Sequence, residues 1–258
     1  MQAGGKDMLA HLAKLKPVKG WREFLGEVGI IVLGVMIALT ADKIAQHYSD
    51  NSTADDARAD ISDELNDGLA AMALRRATEP CIERRLQEIR ALLNDWRRTG
   101  RFETPQWVAQ TPIIEISLAR YNAAQSAGRL ALLSGEEQYR MGAVIEGLGR
   151  FDRLQRDERL VWAQLRALQM GAEALSDEDR SKILTALQEA STLDYEAKIA
   201  ARQTLPLAGR FGYRPDYERI REVAGQTWTN GRYTPSICSP ITMPRAEANK
   251  TQVTPLPE

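Results

Sequence analysis

Few residues in this sequence have the types and spacing that catalysis or metal binding requires. The only two histidines, His11 and His47, flank a long apolar stretch. A Ser/His/Asp triad or a histidine metal site in the rest of the chain would therefore lack its histidine. The two cysteines, Cys81 and Cys238, form no CxxC motif and no Cys/His cluster. We expect no bound metal and no cofactor.

Carboxylates occur side by side as Asp157 with Glu158 and as Glu178 with Asp179. Adjacent residues on a helix point apart, which favours a charged surface over an acid–base pair. There is no phosphate-binding loop, since the nearest glycine cluster lies inside a helical pattern. We therefore predict that the protein is not an enzyme, and keep an envelope hydrolase only as a third hypothesis.

A second group of carboxylates recurs at helical spacing just after the apolar stretch. A divalent cation could bind such a row, but carboxylates in this pattern are typical of a solvated helix face. The pattern therefore predicts a solvated face. Its members are Asp56, Asp60, Asp63, Glu64 and Asp67.

Two basic surfaces could recognise a ligand or partner. The first is an arginine row that ordinary ion pairs along the helix explain more simply: Arg150, Arg153, Arg156, Arg159 and Arg166. The second is a mixed aromatic and basic cluster, and it is the better candidate for a recognition surface: Arg210, Phe211, Tyr213, Arg214, Tyr217, Arg219, Trp228 and Tyr233. The alternative for this cluster is that its side chains cover the end of a helical bundle.

An uncharged apolar run at positions 28–41 determines where the rest of the chain lies relative to a membrane. The run is apolar on every side, which is typical of a helix in lipid. Its own length spans only about 21 Å of a hydrocarbon core of about 30 Å, but a helix over residues 24–45 supplies the missing turns. Trp21 and Tyr48 are then spaced like interfacial aromatic belts. A cleaved signal and a buried core helix are the alternatives.

The flanks of this span predict its orientation. Basic residues precede it (Lys6, Lys14, Lys16, Lys19 and Arg22), which places the N-terminus in the cytoplasm. The following domain would then lie in the periplasm of a Gram-negative bacterium, anchored to the inner membrane. With a net charge of −1 for the whole chain and acidic residues after the span, the exported part is not predicted to bind nucleic acid.

One face of the span carries Glu27, Gly34, Ala38 and Ala41. Small residues four apart let helix backbones approach closely, and an acidic group at membrane depth usually faces a partner. This face predicts a partner protein or a homodimer, in addition to the lipid bilayer. In the alternative, Glu27 snorkels to the interface and the glycine is ordinary for a membrane helix.

Export of the domain would also determine whether the two cysteines are oxidised to a disulfide. An oxidising compartment favours a disulfide between Cys81 and Cys238, which would hold the tail against an early helix. In the entropic model so long a loop gains about 4–5 kcal/mol. Two separate buried thiols are the alternative.

Helical periodicity fills most of the remaining chain. It predicts a helix over residues 54–78, a restart at Pro80 that runs to about 98, and a loop around Trp107 before helix resumes near Ile114. Gly128 is predicted to stop that helix. Ser134 and Ser176 then cap two further helices, which are predicted to end near residues 171 and 203, the second at Pro206.

The C-terminal part is predicted to be less regular. Residues 216–224 suggest a short helix, Asn230-Gly231 suggests a hairpin turn, and residues 240–258 suggest a disordered tail. The predicted organisation is a basic cytoplasmic segment (1–20), a transmembrane helix (21–45), a helical extramembrane domain (46–225) and an irregular tail (226–258).

Two stretches resemble an uncharacterised family of bacterial single-span membrane proteins, of the domain-of-unknown-function type. They are the span REFLGEVGIIVLGVMIALTADK after a basic N-terminus, and a later segment with Tyr121, Ser126, Gly128, Leu130, Leu132, Ser134 and Glu137. The likeness covers about half of the chain. Asp42-Lys43 departs from the family's usual exit from the span, and the tail from Thr227 has no counterpart. The resemblance implies fold and location and brings no catalytic residues.

Together these patterns predict a mainly α protein, with one transmembrane helix followed by an exported helical bundle. We expect it to act as an interaction or scaffold module of the cell envelope. The alternative function is a ligand-binding sensor domain that signals through a partner membrane protein. A scaffold needs an exposed apolar or aromatic patch, whereas a sensor needs a concave apolar pocket.

Overall fold

The computed structural model describes residues 20–218 and 237–248 of the 258-residue chain. These residues form helices and loops without any strand, which confirms the predicted mainly α fold class. The α-helices are α1 (Trp21–Thr99), α2 (Ala119–Ser126), α3 (Gly135–Leu165), α4 (Asp177–Arg210) and α5 (Arg245–Ala248). Short 3₁₀ helices are Arg129–Leu132, Arg166–Met170 and Ala172–Ala174. The chain divides into two compact units, residues 1–53 and 54–258.

The described part of the first unit is the beginning of α1. Its apolar side chains are exposed, including Ile30, Leu33 and Ile37, and none of the apolar window is buried against protein. By length and composition, this is one helix near the N-terminus that could cross a membrane. Trp21 and Tyr48 are also exposed, at the two ends of this stretch.

Two prolines predicted to bound helices lie inside them instead. Pro80 is within α1 and Pro206 is within α4, so the predicted restart at Pro80 and the predicted stop at Pro206 are wrong. A proline removes one backbone hydrogen bond and crowds the carbonyl four residues earlier. Core residues on both sides of Pro80, such as Met72 and Ile82, keep the helix packed and offset this cost.

The second unit is a bundle of α1, α3 and α4 around two hydrophobic clusters. One cluster contains Ile61, Leu69, Leu148 and Phe151 with alanines of α4. The other contains Ile82, Ile89, Trp162 and Leu187 together with loop residues around Trp107. The apolar spacing read in the sequence accounts for both clusters, because it places these side chains on the inner faces of their helices.

Serine caps begin both later helices as predicted. Ser134 and Glu137 form a capping box on α3, and Ser176 and Asp179 form one on α4. Each serine side chain accepts a hydrogen bond from the backbone of the third helical residue, which the helix itself cannot satisfy. Gly128 ends the α2 region with a φ of 71°, a conformation that favours glycine.

The connection between α1 and α2 is longer than predicted. Helix resumes at Ala119 and not near Ile114. The side-chain amide of Gln155 donates to the Ile114 carbonyl and accepts from its N–H, both at 3.1 Å. This pairing satisfies both backbone hydrogen-bonding groups of Ile114 without helical partners.

Part of the predicted disordered tail is packed against the bundle. Ile237 and Ile241 are buried in the second hydrophobic cluster, and residues 245–248 form α5. The prediction of disorder is therefore wrong for residues 240–248. The predicted hairpin turn, most of the predicted helix over 216–224, and residues 249–258 lie outside the described residues.

Candidate functional site

A layer of buried charged side chains separates the two hydrophobic clusters. Arg75 of α1 lies at its centre and is almost fully buried. Its Nη2 atom donates to Glu158 Oε1 of α3 at 2.7 Å and to Asp194 Oδ1 of α4 at 2.8 Å. One guanidinium therefore joins the three long helices of the bundle, through charge-assisted hydrogen bonds.

The layer continues towards the surface through Lys198. Its Nζ atom lies 2.7 Å from Asp194 Oδ2 and 2.5 Å from Glu83 Oε1. On the other side, the hydroxyl of Thr111 donates to Glu158 Oε2 at 3.2 Å. Each carboxylate in the layer thus has a cationic partner.

Burial sets the electrostatics of this layer. It raises the pKa of Glu158, and Asp194 also raises it, while Arg75 and Thr111 oppose the shift. Burial tends to lower the pKa of Lys198, but the hydrogen bonds that Lys198 donates to Asp194 and Glu83 outweigh this effect and raise that pKa. The groups stabilise one another's charges across the three helices.

The paired carboxylates of the sequence analysis are separated in the structure. Glu158 is buried in the charged layer, whereas Asp157 is exposed. Asp179 belongs to the capping box, and Glu178 pairs with Lys182 at 2.7 Å. Among the arginines of the α3 row, Arg156 pairs with Asp152, and Arg166 donates to Gln110 at 2.9 Å.

The acidic face after the span differs from its prediction at one residue. Glu64 is buried and accepts hydrogen bonds from the backbone N–H groups of Arg120 and Tyr121, both at 2.9 Å. It therefore caps the N-terminus of α2, where a carboxylate is favoured. Asp60 and Asp63 lie 3.8 and 3.9 Å from the Arg120 guanidinium. Placing Glu64 on the solvated face was wrong.

Cys81 and Cys238 are joined by a disulfide in the structure, as the sequence analysis proposed. The bond attaches residues 237–243, which we call the strap, to α1. Arg84 donates to the Cys238 carbonyl and Arg85 to the Ser239 carbonyl. The N–H of Ile241 donates to Glu88 Oε2 at 3.3 Å.

Trp107 forms the other side of the strap's binding groove. Its indole N–H donates to the Met243 carbonyl at 2.8 Å. The guanidinium of Arg85 lies 4.4 Å from the centre of the Trp107 ring, a cation–π contact, and Arg85 also bonds Glu88 at 2.8 Å. We call the site formed by Arg84, Arg85, Glu88 and Trp107 the strap groove.

The predicted aromatic and basic cluster is only partly described. Phe211, Tyr213 and Tyr217 are half-buried, and Arg210 and Arg214 are exposed, while Arg219, Trp228 and Tyr233 lie outside the described residues. The Arg214 N–H donates to the Asn66 side chain at 2.9 Å. Burial raises the pKa of Tyr213, and nearby Glu137 adds to this. The described members therefore cover one end of the bundle.

The structure adds two residues that the sequence analysis missed at this end. The Tyr139 ring lies 6.4 Å from the Phe211 ring, and the Arg140 guanidinium lies 5.9 Å from the same ring. Tyr139 is 70% exposed, so the cluster presents an aromatic surface to solvent. No sequence signal pairs Tyr139 with Phe211, because 72 positions separate them.

Glu27, Gly34, Ala38 and Ala41 are all exposed on the apolar stretch of α1. A Cβ atom added at Gly34 would meet nothing within 4 Å in the described residues. The structure leaves this face open for contact with another helix or with lipid.

Comparisons of the chain with protein-family models, curated proteins and solved structures found no match.

Proposed function

We propose that the protein is a membrane-anchored interaction module of the bacterial envelope, with its helical bundle in the periplasm. The observation that carries this proposal is that none of the apolar window at the start of α1 is buried against protein. Leaving so many large apolar side chains in water is unfavourable by about 25 cal/mol per Å², so they require lipid or another helix.

Three further observations support the orientation and the role. The basic residues precede the span, as the positive-inside rule requires for a cytoplasmic N-terminus. The Cys81–Cys238 disulfide suits an oxidising compartment such as the periplasm. The buried charges of the bundle are engaged with one another, which favours a structural role for them over catalysis.

Membrane attachment is tested by extraction of the isolated membranes at alkaline pH. We expect the wild-type chain to stay in the pellet. Replacing Ile31 and Val35 together by arginine should release it, since each arginine costs about 2.5–3.5 kcal/mol at the centre of a membrane helix. The matched control is arginine at Leu160 and Met170, which are 66% and 63% exposed on the bundle and should leave the chain in the pellet. Release of the wild type would contradict the proposal.

The interaction surface that we propose is the exposed ring of Tyr139 with Phe211 and Arg140. A photo-crosslinking amino acid at position 139 should give a discrete product with another protein in living cells. Tyr195, which is 64% exposed on α4, is the matched control and should give none. Equal products from both positions, or a product from 195 alone, would remove this surface from the proposal.

A further inference from the structure

The strap is held in its groove by one covalent bond and by weaker contacts. The covalent bond is the Cys81–Cys238 disulfide. The weaker contacts include hydrogen bonds between the strap's main chain and the groove, and the burial of Ile237 and Ile241. Ordering each strap residue costs conformational entropy, which offsets much of what these contacts contribute. The covalent bond therefore has a large effect on whether the strap stays in its groove.

The closed strap also carries an electrostatic cost at Arg85. This guanidinium is fully buried in the groove, where it donates to the Ser239 carbonyl of the strap. Among the described residues, its Nη1 atom has no hydrogen-bond partner. Burial lowers the pKa of Arg85, and the hydrogen bond to Glu88 opposes this shift. Because release of the strap admits water to this cation, the desolvation of Arg85 favours the open groove.

Most of the bundle's packing is formed without the strap. Among the described residues, the cluster around Ile61 and Phe151 includes none from the strap. In the other cluster, Ile237 and Ile241 add to side chains that the three long helices already bring together, such as Trp162. Opening of the strap therefore leaves the helical packing in place.

We propose that the Cys81–Cys238 disulfide is a redox latch, which a dithiol reductant opens so that the strap leaves its groove. Opening exposes Trp107 and Arg85, and reoxidation closes the groove again. The latch is a property of the bundle and does not rest on the proposed membrane location.

The two cysteines differ in their access to a reductant. Cys238 is half-buried, whereas Cys81 is 8% exposed, so attack at Cys238 is favoured. One thiolate of the dithiol attacks Cys238 Sγ, the bond between the two cysteines breaks, and Cys81 leaves as a thiolate that takes up a proton. The second thiolate of the dithiol then closes the reductant's own disulfide and releases Cys238, which also takes up a proton. Two electrons and two protons pass from the dithiol to the protein.

The test measures hydrogen–deuterium exchange of the full-length chain in detergent, before and after treatment with dithiothreitol. Maleimide labelling shows when both cysteines are reduced. The N–H of Ile241 donates to Glu88 in the closed strap, and we expect exchange of the strap peptide that contains it to become about tenfold faster on reduction. Exchange within residues 183–201 of α4 should not change. Three results would each overturn the proposal: unchanged strap exchange in the reduced chain, a disulfide that dithiothreitol does not reduce in the folded chain, or an equal loss of protection in α4.

The matched variant Cys238→Ser removes the disulfide without a reductant. Its strap should exchange as fast as that of the reduced wild type, with or without dithiothreitol, while its helical circular dichroism is retained. A strap as protected as in the oxidised wild type would overturn the proposal, and so would loss of the helical signal, which would make the disulfide a support of the whole bundle.

Trp107 gives an independent measure of the open groove. It is 2% exposed, and its indole N–H donates to the Met243 carbonyl of the strap. We expect quenching of tryptophan fluorescence by acrylamide to increase when the wild type is reduced, and Trp107→Phe to lose this increase. No increase in the wild type, or an equal increase in Trp107→Phe, would contradict the opening of the groove.

Discussion

Arg75 is the side chain at the centre of the charged layer, because its guanidinium contacts both Glu158 and Asp194. Its removal leaves two buried carboxylates without this partner. We expect Arg75→Ala to lower the free energy of unfolding by about 3–5 kcal/mol, measured by urea denaturation. Arg120→Ala, which removes a surface cation near Asp60 and Asp63, should change it by less than about 1 kcal/mol. Equal decreases in the free energy of unfolding for the two variants would show that the charged layer stabilises the fold no more than a surface ion pair does.

The lowered pKa of Glu137 predicts how the free energy of unfolding responds to acid. Hydrogen bonds from Arg58 and Ser134 lower its pKa from 4.5 to about 2. A carboxyl with a lowered folded-state pKa stabilises the fold above its unfolded pKa, and this contribution is lost as the pH falls from about 4.5 towards 2.

The variant Glu137→Gln isolates this effect, since glutamine can keep the capping box but carries no charge. We expect wild type to be more stable than the variant near neutral pH, and the difference to shrink between about pH 4.5 and pH 2. Chemical denaturation at a series of pH values measures it. A difference that stays constant, or grows in acid, would contradict the assigned role of Glu137.

For Arg75, the sequence contained evidence that was not used in predicting which residues are buried. Arg75 follows Ile61, Leu65, Leu69 and Met72 at helical spacing, so its position on the inner face was readable. Its partners were not readable, because Glu158 and Asp194 lie 83 and 119 positions away. Only the packing of three helices brings these charges together.

At the level of helices, α3 and α4 approach each other closely at Gly147. A Cβ atom there would lie 2.3 Å from Thr204 Oγ1, too close for any real contact. We expect Gly147→Ala to destabilise the bundle by about 1–3 kcal/mol in thermal or urea unfolding, although alanine is the better helix former.

Two companion variants check this explanation. Gly142→Ala meets nothing within 4 Å and should stabilise α3 by up to about 1 kcal/mol. Thr204→Ala in the Gly147→Ala background should recover most of the loss, because it removes the clashing atoms. If Gly147→Ala proved as stabilising as Gly142→Ala, the close approach of the two helices would be wrong.

The helices themselves were largely predictable, and their ends less so. Both serine caps were predicted from local chemistry, since a cap is formed by residues three positions apart. Pro80 and Pro206 were misread as boundaries, because tertiary packing on both sides kept each helix intact. The extended loop before α2 depends on Gln155 and Glu64, which are remote in sequence.

For the whole molecule, helical periodicity predicted the α class, and the uncharged apolar run at positions 28–41 predicted one helix able to cross a membrane, which the described residues contain. The Cys81–Cys238 disulfide was predicted on the condition that the domain is exported, with two separate buried thiols as the alternative, and the structure contains the disulfide. The packing of the strap did not follow, because four prolines and many polar residues made residues 240–258 resemble a disordered tail. The burial of Ile237 and Ile241 holds the strap against the bundle. Two isolated isoleucines do not form a periodic apolar pattern from which this burial could be predicted.

The central claim is that the bundle is exported and remains attached to the membrane. A reporter enzyme that is active only outside the cytoplasm should be fused after Asp60, and in a second strain after Lys19, before the span. We expect activity from the first fusion alone, together with retention of that fusion in membranes washed at alkaline pH. Activity with release into the wash would indicate a cleaved signal, and activity from the Lys19 fusion or none after Asp60 would contradict the export of the bundle.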